Sequence, residues 1–122
     1  MKVKYSEIVS AKSALEALSK KELSVSEAVK LARLIKKLNA ELEVFGEKQM
    51  EFCEKYGKLS DDGTQYLFED TERRADFEKS MAELLAFEVD FEKEKICLKS
   101  DIRLPAVDVI SLESFINFES ED

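Results

Sequence analysis

Residues 26–57, SEAVKLARLIKKLNAELEVFGEKQMEFCEKYG, decide how the rest of the chain is arranged. Within them Ala28, Leu31, Ile35, Leu38, Leu42, Phe45, Gln49, Phe52 and Tyr56 follow one another at alternating steps of three and four, and eight of the nine are apolar. That is a heptad seam. An α-helix carrying it over about 32 residues is about 48 Å long. A stripe of that length has to be covered, by other helices of the same molecule or by another copy. Its start is marked by Ser24 and Glu27, an S-x-x-E capping box. Its end is marked by Gly57, expected in the left-handed C-cap conformation, followed by the turn sequence Ser60-Asp61-Asp62-Gly63.

Three further segments can supply cover. Residues 5–19 place Ile8, Ala11, Leu15 and Leu18 on one stripe, with Lys20 and Lys21 where the helix dipole favours positive charge. Residues 71–86, capped by Asp70 or Thr71, repeat the spacing with Phe77, Met81 and Leu84, widened by Ala75, Ala82 and Leu85. Pro105 suits the first turn of a last helix, 105–117, with Val109, Leu112, Phe115 and Ile116 as its apolar face and Asp108 near the positive end. Period-two spacing marks strand candidates at 64–69 (Tyr66, Phe68) and within 87–99 (Phe87, Val89, Phe91, then Ile96 and Leu98 after the charged run 92–95). Since a lone strand leaves its backbone groups unsatisfied, these two regions are expected to pair with each other. The resulting fold is a single domain, 1–122, mainly α (α+β). It is a long-helix antiparallel bundle or hairpin with a small two- to three-stranded β element at one end, a short C-terminal helix and an acidic, frayed tail at 119–122.

With 122 residues, one modest core is expected. The 38% of charged residues, with only three Gly and one Pro, favours long helices. No run is long and apolar enough for a membrane span, and the first residues lack an apolar signal region, so an intracellular protein with no membrane partner is expected. The net charge of −8 is uneven: residues 1–58 hold 12 basic and 9 acidic side chains, net +3, and residues 59–122 hold 7 and 18, net −11. The two halves can attract each other, or the acidic half can face a basic partner. The carboxylate excess disfavours duplex nucleic acid as a direct ligand.

Enzymatic templates fail on residue type. The chain has no histidine, which removes Ser-His and Cys-His pairs and a zinc site, and its three scattered glycines form no phosphate loop. Asp61 with Asp62 at a turn, and Glu69 with Asp70, are weighed as cation-binding and acid–base pairs, and the ordinary role of exposed turn carboxylates outweighs both. Cys53 and Cys97 are expected to be small buried thiols. No catalytic residue, metal or cofactor is assigned.

The segments IKKLNAELEVFGEKQMEFCEKYGKL (35–59), GTQYLF (63–68), FEKSMAELLAFEVDFEKEKICL (77–98) and LPAVDVISLESFI (104–116), in that order, resemble a group of small helical proteins encoded by phages and prophages of Gram-positive bacteria. These are patterns, not catalytic motifs. The resemblance implies a phage product in an infected or lysogenic bacterial cell, or in the virion. A virion-assembly or structural accessory protein working through protein–protein contacts comes first, with itself or a virion component as partner. An acidic inhibitor of a bacterial anti-phage defence protein, of the anti-CRISPR kind, comes second, and a small enzyme third. The first and third helices, at about 22 and 24 Å, only just match the seam. Apolar surface left over is expected near Phe45, Phe52, Phe115 and Phe118, the candidate partner-binding residues.

Overall fold

The computed structural model describes residues 2–91, 95–99 and 102–118; the acidic tail and most of the charged run at 92–95 lie outside the described residues. Strand β1 (Lys2–Lys4) runs directly into helix α1 (Tyr5–Ser19), and the connection 20–24 leads to α2 (Val25–Tyr56). Two short strands, β2 (Lys58–Leu59) and β3 (Tyr66–Leu67), precede α3 (Thr71–Ala86). Then follow β4 (Glu88–Asp90), β5 (Ile96–Leu98), α4 (Ala106–Leu112) and β6 (Ile116–Phe118). The chain is mainly helical, with one long helix and a short helix near the C-terminus.

The long helix begins as its sequence requires. Glu27 N–H donates to Ser24 Oγ at 3.2 Å and Ser24 N–H donates to Glu27 Oε1 at 3.3 Å, so the capping box is complete. Its end differs from expectation. Gly57 has φ −109° and ψ 175°, extended backbone open to any residue, so the left-handed cap is not formed. Glycine is needed there for closeness instead: an added Cβ lies 2.9 Å from the Cys53 carbonyl oxygen and 3.3 Å from Tyr66 Cβ. The left-handed glycine is Gly63, φ 71°, in the turn between β2 and β3.

Helices α1 and α2 form an antiparallel hairpin. Tyr5, at the start of α1, lies against the middle of α2: its ring is 5.5 Å from that of Phe45, and its hydroxyl donates to Glu41 Oε2 at 2.9 Å. Helix α1 buries Tyr5, Ile8, Ala11, Ala14, Leu15 and Leu18 because α4 covers it on a second side. In α2 the buried residues are Leu31, Leu34, Leu38 and Phe45. Ala28 and Gln49 of the seam are exposed, and Leu34, outside it, is buried.

The strands pair otherwise than expected. β3 pairs antiparallel with β2, β4 with β1 through Val3 opposite Val89, and β5 runs parallel to β6, giving three two-stranded sheets among the described residues. The expected pairing of 64–69 with a segment of 87–99 is therefore not made. The Ser60–Gly63 turn closes a local hairpin at low entropic cost, and both later strands are taken by the chain's two ends. The last helix is also shorter than 105–117. It stops at Leu112, Phe115 N–H donates to the Leu112 carbonyl at 3.0 Å, and the chain re-extends so that Ile116 enters β6 beside Ile96. The largest fully buried side chains of the core are Phe115, Ile8, Leu18, Leu98, Leu112 and Val3.

Candidate interaction surface

The core stops at Phe45, and α2 does not. From Gly46 to Glu88 no residue is buried, and α3 has no buried residue along its whole length. This stretch consists of the second half of α2, the β2–β3 hairpin and α3, which packs along α2. Met81, Leu84 and Leu85, at the end of α3, reach the core cluster. Further out the contacts are aromatic and only half-buried: the Phe68 and Phe77 rings meet at 4.9 Å, tilted by 40°, and Ser80 Oγ donates to the Tyr56 hydroxyl at 3.4 Å. That hydrogen bond and the nearby Lys55 ammonium, 5.1 Å from the ring centre, hold the Tyr56 phenol below its ordinary pKa. Tyr66, Phe68, Arg74, Phe77 and Glu78 line a shallow open groove. Two helices and a hairpin give one layer, and one layer has no inside.

The same arm has an acidic excess. Residues 46–86 hold eleven acidic and six basic side chains, and every one of the acidic residues is exposed. Arg74 pairs with Glu78 at 3.3 Å and Arg73 reaches Asp70 at 3.9 Å, exposed contacts of small energetic value that occupy part of the scarce positive charge.

The candidate phenylalanines divide. Phe115 is fully buried, its ring edge-on to Phe91 at 6.2 Å, and Phe45 is 9% exposed, so neither offers surface to a partner. Both are used inside the chain: Phe45 by Tyr5, and Phe115 because the turn after α4 drives it inward. Phe118 is half-buried in β6 against the core, and Phe52 is half-buried on the arm. Larger exposed apolar side chains lie elsewhere, at Val25, Val107 and Ile110, off the stripes that the spacing picks out, and at Phe87, the first residue of the period-two series.

The carboxylates weighed for chemistry have local duties. Asp62 Oδ1 accepts from Ser60 Oγ, from Thr64 N–H at 3.1 Å and from Thr64 Oγ1 at 2.8 Å, which holds the turn and lowers its pKa to about 2. Asp70 Oδ1 caps α3 by accepting from Arg73 N–H at 2.7 Å. Among the described residues no group of three or more His, Cys, Asp or Glu side chains is placed to hold a metal ion, and no helix is long and apolar enough to cross a membrane. The thiols are more open than expected, Cys53 half-buried and Cys97 exposed, the latter because a three-residue strand turns its middle side chain away from Ile96 and Leu98. No protein family model, curated protein or solved structure matches the chain.

Proposed function

We propose that the protein works without turnover, by protein–protein contact through the arm formed by residues 46–86. The supporting observation is the arm itself: half-buried Phe52, Tyr56, Tyr66, Phe68 and Phe77 in a single layer, flanked by exposed carboxylates. A layer of this kind, in which no residue is fully buried, is well explained by a partner that completes it. Together with the resemblance to small phage and prophage proteins, this supports a virion-assembly or structural accessory role in an infected bacterial cell. The acidic excess of the arm supports the second reading, an inhibitor that occupies a basic surface of a defence protein.

Deleting the gene from a phage that carries it separates the two. The assembly reading requires fewer or defective particles in every host. The inhibitor reading requires normal particles in a host without defence systems and lost plaques in a defended one. A phage unaffected in both hosts contradicts both readings.

A further inference from the structure

The side of α2 that faces away from Leu31, Leu34, Leu38 and Phe45 carries a second heptad series: Val29, Arg33, Lys36, Ala40, Glu43, Glu47 and Met50, at steps of four and three. All seven are exposed, Val29 at 43% and Met50 at 49%. None of the four charged side chains in the series forms an ion pair among the described residues, although Lys48 and Glu51 nearby do. Read outward from Ala40, the series is symmetric in kind and opposite in charge: Lys36 against Glu43, Arg33 against Glu47, Val29 against Met50.

We propose that this face pairs with the same face of a second copy, the two α2 helices running antiparallel across a two-fold axis at Ala40. A two-fold operator brings each residue to the one placed symmetrically about the axis. Arg33 and Lys36 of one copy then face Glu47 and Glu43 of the other, twice over, while Ala40 meets Ala40 and Val29 meets Met50. The small side chain on the axis lets the helices approach. A parallel arrangement sets Arg33 against Arg33 and Glu47 against Glu47, so the charge order selects the antiparallel one. The series spans about 33 Å, which places one helix pair near the low end of specific interfaces, about 1,000 Å² in total. With exposed ion pairs at its centre the dimer is weak and sensitive to salt. This pairing uses the face opposite the aromatic side of the arm and stands or falls separately from the proposed function.

Sedimentation equilibrium of the full chain at low ionic strength tests it. Wild type is expected to double its mass as concentration rises and to revert to monomer on adding salt. R33E/K36E and E43K/E47K are each expected to remain monomeric alone, and an equimolar mixture to recover the doubled mass as a heterodimer. The fourfold swap R33E/K36E/E43K/E47K is expected to self-associate like wild type. All four positions are exposed on a helix, and the mixture and the fourfold variant exclude misfolding as the cause of a lost dimer. A wild-type chain that stays monomeric throughout overturns the proposal, as do double variants that dimerise as well as wild type or a mixture that fails to.

Discussion

The backbone N–H of Lys99 donates to Glu27 Oε2 at 2.8 Å, while the other oxygen of the same carboxylate closes the capping box with Ser24. One side chain at the start of α2 thus holds its own helix and the end of β5, 72 residues away in sequence. Ser24→Ala should cost about 1 kcal/mol, as the loss of a cap. Glu27→Ala should cost more, about 2 to 3 kcal/mol, because a charge-assisted hydrogen bond to the backbone is lost as well. Urea unfolding measures both, and faster amide exchange at Lys99 in the Glu27 variant alone identifies the second contact. Equal costs for the two variants would remove that contact from the folded state.

Leu38 is 2% exposed between the helices, and its truncation to Ala should destabilise the protein by about 2 to 5 kcal/mol. Phe52→Ala, on the arm, removes a larger side chain yet should cost less, since Phe52 is already half in water in the native state. Thermal melts of the two variants check the order. A Phe52 variant less stable than the Leu38 one would show that the arm has an interior.

Burial, with the adjacent Glu41 carboxylate, pushes the Tyr5 phenol up to about 12. A group whose pKa is raised on folding contributes stability that is complete below its unfolded value, about 10, and is lost as pH rises toward the folded value. Stability should therefore fall between about pH 10 and 12, and less steeply in Tyr5→Phe. Alkaline titration by tyrosinate absorbance should show one phenol ionising late, near pH 12, in wild type, and that step absent from the variant.

At the hairpin turn the sign is reversed. Asp62, held near 2 by the hydroxyls of Ser60 and Thr64 and the Thr64 amide, stabilises the turn above the ordinary carboxylate range, and the contribution is lost as pH falls toward about 2. The Thr64 amide resonance should titrate at that low value, and not at all in Asp62→Asn. Gly63→Ala, at φ 71°, should cost about 1 kcal/mol.

The helices were legible because each carries its stripe over several turns and, for α2 and α3, a side-chain cap; 5–19 and 71–86 match the spacing end to end. The strands were legible in part: β3 lies within 64–69, and β4 and β5 lie within 87–99, while β1, β2 and β6 carried no signal. β1 is Lys-Val-Lys, and a strand with one inward side chain has no periodicity to read; its partner Val89 identifies it only once the fold has brought the two together. β6 was hidden inside a helical pattern, since Leu112, Phe115 and Ile116 satisfy three-four spacing whether or not the helix continues. The candidate surface was half legible for a related reason. A seam shows which side of α2 is apolar, but the point at which its cover runs out, after Phe45, depends on the placement of α1.

The division of α2 between a core and an arm is tested most directly by native-state hydrogen exchange along that one helix in dilute solution. Amides from Leu31 to Phe45 should exchange only through global unfolding, while those from Glu47 to Tyr56, together with α3, should open at a distinctly lower free energy as one unit. A single free energy from Leu31 through Tyr56 would contradict the division, and with it the arm as a layer awaiting a partner.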